Sequence, residues 1–226
     1  MVQSEVFNRV FRFTFGHSAG TTFTLENGDK QFLITAKHIF RHGGYPNHAD
    51  IRIFKDGKYC LYHVNIKYPK DEAVDIAVMQ TDPMVFISPT FSNPNSSAGM
   101  VYGQDVFFVG FPYNYDSLLQ SLPDSATPIP FVKKACLSGS LKSHSLLVLD
   151  GHNNSGFSGG PVCFKPTAPN SKIMSICAVI SGYRFNAEPV FDKDGNETGL
   201  FVKSNTGIIN AYDIKEAVTV AQNWDS

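Results

Sequence analysis

The chain is predicted to be all-β. Short runs rich in Val, Ile, Phe, Tyr and Thr recur along its whole length, and turn signals separate them. Alternating helices of the length that a parallel sheet needs are absent from the pattern.

In chain order the first expected strands are Phe7–Phe15, Thr21–Leu25 and Gln31–Thr35, with the hairpin signal Asn27-Gly28 between the last two. Gly43-Gly44 then precedes Ile51–Phe54, and Asp56-Gly57 separates that strand from Cys60–Ile66 and Ile76–Gln80. Six more follow: Val106–Val109, Lys133–Leu141, Leu146–Leu149, Pro161–Phe164, Ile173–Ser181 and Gly207–Asn210. A dozen such strands fit two small antiparallel barrels or one large sandwich. Pro112–Pro130 and Arg184–Gly199, the second containing Asp194-Gly195, read as irregular loops long enough to surround a site.

One helix is expected, over 213–222. Asp213 is placed to cap it, Glu216 completes a capping-box pattern, and Ile214, Ala217, Val218 and Ala221 form an apolar stripe. Its expected role is to close an end of the second barrel, with partner binding as the alternative. The polar stretch Thr90–Ala98 marks the domain boundary, giving an N-terminal barrel over 1–92 and a C-terminal barrel with its helix over 93–226.

Composition excludes several function classes. With 42% hydrophobic and 17% charged residues, the 226-residue chain can bury a core and is not disordered. Lys and Arg number 19 and Asp and Glu 20, so no global basic field invites nucleic acid or an anionic membrane. No apolar run approaches the roughly 18 residues of a membrane span. The start shows no basic head followed by an apolar core, so no signal peptide is expected and the location is read as cytoplasmic. Cys60, Cys136, Cys163 and Cys177 are too scattered for a zinc or redox motif, and read as thiols. The alternative is a Cys163–Cys177 bridge across a hairpin.

The chemistry-bearing segment is Gly156-Phe157-Ser158-Gly159-Gly160-Pro161. Glycines hold a serine on a tight turn and leave amides free, so the Gly156 and Ser158 N–H groups could form an oxyanion hole. The plainer reading is a glycine-rich turn with an incidental serine. A serine hydroxyl needs a base. His38 ends the apolar strand 32–37, and Asp75 opens Asp75-Ile76-Ala77-Val78, where a carboxylate needs a cation or donor to meet it. Asp71 and Glu72 read as solvated.

These segments together resemble the chymotrypsin-like (trypsin-fold) serine peptidases, whose marks are T-A-x-H, D-I-A-[VL] and G-x-S-G-G-P in that order. Here they are Thr35-Ala36-Lys37-His38, Asp75-Ile76-Ala77-Val78 and Gly156–Pro161, at spacings of 37 and 83 residues. Gly20-Thr21-Thr22-Phe23, the run 103–112, Lys133–Leu141 and Gly207–Tyr212 resemble further segments of HtrA-like domains. The resemblance implies two six-stranded antiparallel barrels with a cleft between them, and an acyl-enzyme endopeptidase. Ser158 would be its nucleophile, His38 its base and Asp75 the group orienting the base. It implies no metal and no cofactor. The primary pocket would be walled by His152, Asn153, Asn154 and Ser155 and by Ile180, Ser181, Gly182 and Tyr183, with Ser181 and Gly182 pairing an extended substrate. His152 stands where trypsin-like enzymes carry a pocket-floor acid, which argues against Arg/Lys preference; it reads as a polar wall residue, with meeting an acidic side chain as the alternative. The other histidines, including His42 and His48, are expected to be surface or satisfied polar groups.

Two departures stand out. Ile39 replaces the cysteine that secreted members carry after the histidine, and Phe157 replaces the acid that pairs with a processed N-terminus. Both fit an unprocessed, intracellular enzyme acting on a protein or peptide. A latent or inactive binding module on the same fold, awaiting an unknown activating partner, is the alternative. An esterase of the α/β-hydrolase kind needs strand–turn–helix after its serine, and here Gly-Gly-Pro and a strand follow.

Overall fold

The computed structural model describes residues 2–81, 95–115, 128–141, 145–167 and 173–225. After a single helical turn, α1 (Ser4–Phe7), six strands form the first barrel: β1 (Val10–Phe15), β2 (Ser18–Asn27), β3 (Lys30–Thr35), β4 (His48–Lys55), β5 (Lys58–Lys67) and β6 (Ala77–Thr81). The second contains β7 (Asp105–Gly110), β8 (Phe131–Leu141), β9 (Leu146–Asp150), β10 (Pro161–Phe164), β11 (Ser175–Phe191) and β12 (Glu197–Asp213). Both are closed and antiparallel. The order β1-β2-β3-β6-β5-β4 is repeated as β7-β8-β9-β12-β11-β10, although the two halves show no sequence repeat. Closure through β1–β4 and β7–β10 removes the exposed edges that an open sheet would leave.

Strand periodicity explains the core. Phe13, Leu33, Ile51, Ile53 and Met79 point into the first barrel, and Val106, Phe108, Leu149, Val162 and Ile180 into the second. The alternate residues of the first barrel, Phe23, Leu25, Phe32, Ile34 and Val78, meet Val109, Phe111 and Val179 of the second in a third apolar cluster. The middle of β2 is therefore buried on both faces, Thr21, Thr22 and Thr24 included.

Several expectations are corrected. The first strand starts at Val10, because Ser4–Phe7 coils into α1. Arg184–Gly199 is not an irregular loop. It belongs to a two-stranded arm in which β11 and β12 run on beyond the barrel, pairing Phe185 with Asn205 and Pro189 with Phe201. The break is confined to a tight turn, where the Asp192 carboxylate accepts the N–H groups of Asp194 and Asn196. Pro189 is tolerated because the arm has a free edge.

The helix, α2 (Lys215–Gln222), lacks the capping box: Asp213 accepts the Lys215 N–H, but Glu216 accepts the Ser145 hydroxyl instead. Nor does α2 simply close the second barrel. It returns to the first, where Trp224 packs on Phe32 (centroids 5.0 Å apart) and Asn27 donates to the Ala221 carbonyl. Cys163 and Cys177 are buried free thiols. They lie on neighbouring strands but in different apolar clusters, and the Cys177 thiol donates to the Val162 carbonyl. The boundary expected at 92/93, and residues 116–127 of the expected loop 112–130, lie outside the described residues.

Candidate active site

β3 ends at Thr35, and the chain then enters a 3₁₀ turn (Lys37–Gly43) that buries Ile39 and Phe40 and leaves His38 in the cleft. Asp75 lies just before β6, which pairs with β3, so the two residues meet. Asp75 Oδ2 is 2.6 Å from His38 Nδ1, and its Oδ1 accepts the His38 backbone N–H at 2.7 Å. The Ser181 hydroxyl adds a hydrogen bond to Oδ2 at 2.5 Å. Burial acts to raise the Asp75 carboxyl, but the contacts with His38 and with the Ser181 hydroxyl outweigh it and hold it below its ordinary value. The carboxylate that orients His38 is thus kept charged.

Ser158 reaches the same place from the other barrel, on the turn before β10. Its hydroxyl donates to the Ser181 carbonyl at 3.0 Å, and among the described residues this, not His38, is its hydrogen-bond partner. The turn is held by close backbone fits. Gly159 has φ +84°, and a Cβ there would lie 2.2 Å from both Thr21 O and Thr35 Oγ1. Gly159 N–H and Gly160 O pair with Ile180 O and N–H. Thr21 N–H donates to Ser158 O at 2.9 Å, and Thr21 Oγ1 donates to Gly156 O at 2.8 Å while accepting the Phe111 N–H. Tyr113 N–H, on the turn after β7, takes Ser155 O at 2.9 Å. In a trans peptide the N–H points opposite to its carbonyl, so this contact leaves the Gly156 N–H on the other side. Among the described residues neither the Gly156 nor the Ser158 N–H is donated to another group of the protein. Phe157, in place of an acid, is fully buried edge-on to Phe108.

The expected pocket residues separate into two sets. Asn153 is buried and its carbonyl accepts from Asn205, while His152 and Ser155 are exposed. Asn154 donates to the Tyr113 hydroxyl. Ile180 is buried with both backbone groups committed to the Ser158 turn, which leaves Ser181, Gly182 and the exposed Tyr183 as the open stretch of β11. Sequence reasoning missed Lys133, whose ammonium donates to the His152 carbonyl and Asn154 Oδ1, and whose pKa burial lowers. It also missed Thr21 as the contact between the barrels, and the second function of Ser181. Thr21 lay inside a segment already singled out, but nothing local shows which loop its hydroxyl meets. His48 pairs with Asn65 and His63 with Asp50 on the surface. Among the described residues no group of three or more His, Cys, Asp or Glu is placed to hold a metal, and no helix is long and apolar enough to cross a membrane.

Comparison with known proteins gives the same fold. Residues 20–165 match the family model of the trypsin-like peptidase domain. The HtrA-type protease AlgW, solved with a tripeptide, superposes with a TM-score of 0.59 at 16% identity over 97% of this chain, which spans only 60% of that one. The Rv3671c protease of M. tuberculosis in an inactive form (TM-score 0.57, 12% identity) is covered to 89%, with 96% of this chain matched. The MamO protease domain of Magnetospirillum magneticum (TM-score 0.55, 13% identity) is covered to 97%, with 96% of this chain matched. At these identities the structures speak for the fold alone. Among curated proteins nothing matches in sequence.

Proposed function

This chain belongs to the trypsin-like peptidase domain family, and from that premise we propose that it is a serine endopeptidase acting through an acyl-enzyme. The observation that carries the proposal is the meeting of His38, Asp75 and Ser158 around Ser181. Ser158 Oγ attacks the scissile carbonyl carbon and its proton passes to His38. His38 then gives that proton to the departing amine, and water repeats the sequence on the acyl ester. Asp75, still ionised, holds the imidazole tautomer and stabilises the imidazolium. The free N–H groups of Gly156 and Ser158 are the donors proposed for the oxyanion.

The substrate is proposed to be a protein or peptide lying extended along Ser181–Tyr183 as an added strand. Its N–H would compete for the Ser181 carbonyl and release the Ser158 hydroxyl toward His38. The four free thiols fit a reducing compartment, and the cytoplasm is the proposed location.

The Ser158–Ser181 hydrogen bond also favours a second reading, a latent module whose nucleophile stays parked until a partner binds. A fluorophosphonate probe distinguishes the two. Folded wild-type protein is expected to label at Ser158 and the Ser158→Ala variant not to label. Absence of labelling on folded wild type would overturn the active-enzyme reading.

A further inference from the structure

Beside His38 lies a cavity of about 770 Å³ that Asp75 and Ser181 also line. Lys37, Arg41 and Lys70 line it, with the rings of Tyr45 and Tyr68. The two rings meet nearly edge to face, with centroids 6.3 Å apart, and the Tyr68 hydroxyl is tied to the Pro46 carbonyl, so this wall is built. Two carboxylates also touch the cavity. Asp75 is spent on His38 and Ser181, and Glu72 is exposed. Among the described residues none of the three cations forms an ion pair. Lys37 donates once, to the Glu72 carbonyl, and its ammonium sits 5.3 Å from the Tyr45 ring, which leaves it further protons to donate. Three cations thus face a single exposed carboxylate in a concave site open to the cleft.

Strand geometry says what would enter it. Side chains of an extended peptide alternate. If the residue whose carbonyl meets Ser158 sends its side chain toward the 152–155 wall, its neighbour on the amino-terminal side sends its own toward His38 and this cavity. We propose that the cavity is a specificity site for an acidic side chain, so that the enzyme prefers Asp or Glu immediately before the residue at which it cleaves. The assignment of that position rests on the peptidase reading above; the preference of the cavity for an anion rests on its own charges.

The test is digestion of a peptide library with mass-spectrometric reading of the cleaved bonds. Wild type is expected to enrich Glu and Asp over Lys at that position about tenfold, as two or three part-exposed ion pairs of ordinary strength would give. The double variant Arg41→Glu with Lys70→Glu, both exposed and outside the catalytic group, is expected to reverse the preference while fluorophosphonate labelling of Ser158 stays unchanged. Equal use of Glu, Ala and Lys by wild type, or an acidic preference that survives in the double variant, overturns the proposal. If wild type does not label at all, the peptidase reading fails by itself. The cavity is then judged by the Kd of Ser158→Ala protein for fluorescent acidic and basic peptides of one length: tighter, salt-sensitive binding of the acidic peptide supports it, and equal binding overturns it.

Discussion

The two halves of the candidate site are held by different means. His38 and Asp75 flank neighbouring strands of one barrel and meet through hydrogen bonds to the Asp75 carboxylate, and among the described residues only the Ser181 hydroxyl joins that carboxylate from the other barrel. Ser158 rides on a turn with little side-chain support. It is placed by glycines fitted against the backbone of both barrels and by one threonine, Thr21, that joins the turn to the first barrel. A charge must be met by specific donors, so the Asp75–His38 pair is fixed by chemistry. A neutral hydroxyl needs only position, so Ser158 is fixed by shape. Damage to the first half should therefore appear in catalysis and pH dependence, and damage to the second in stability and catalysis together.

The largest effect is expected from Asp75→Asn, which should lower the Ser158 labelling rate by about 10⁴ by depriving His38 of its tautomer and its countercharge. Its acid unfolding should change as well. The Asp75 carboxyl is held below its ordinary value in the folded state, so it contributes stability that is full above the unfolded-state value and lost as pH falls through the folded one. Thermal melts from neutral pH down to acid should show a shallower decline in the variant, and an identical decline would show that the pair does not carry the charge. Gly159→Ala comes next. It forces a Cβ onto Thr21 O and Thr35 Oγ1 at a φ that L residues avoid, so Tm should fall by roughly 5–10 °C and labelling should be lost with it.

Thr21→Val keeps shape but leaves Gly156 O and Phe111 N–H without their hydroxyl partner. Labelling should drop about tenfold for a cost of about 1–3 kcal/mol, with the pH dependence of wild type retained. A shifted pH profile in that variant would break the proposed separation of the two halves. The smallest effect is expected at the arm. Asn186 and Ser204 pair directly, so replacing 187–203 with an Asn-Gly turn closes the hairpin early. Phe185, Phe191, Leu200 and Phe201 are exposed there, so removing most of these residues should leave Tm within about 1 °C and labelling within about twofold.

Much of this was legible beforehand because the signals are local. Asn27-Gly28 and Asp56-Gly57 mark hairpins through their own backbone preferences, and the strands around them appear nearly where expected. His38, Asp75 and Ser158 were separable from the other histidines, acids and serines by what flanks them: a strand end, an apolar strand start and a run of glycines. The arm was misread because Asn186, Pro189, Asp192 and Gly199 all look like breakers, yet a two-stranded ribbon with a free edge can absorb most of them. The capping box failed for a related reason. Glu216 had a distant competitor, the Ser145 hydroxyl, which no window around the helix contains.

The sequence by itself determined the strand and turn alphabet, the apolar faces and the choice of candidate residues, since each depends on neighbours within a few residues. Tertiary structure alone decided that α2 returns to the first barrel, that Thr21 holds the Ser158 turn, that Ser181 serves both Asp75 and Ser158, and that Lys37, Arg41 and Lys70 line one cavity. Those contacts join residues remote in sequence, and the same local pattern is compatible with many partners until two closed barrels bring one set of faces together.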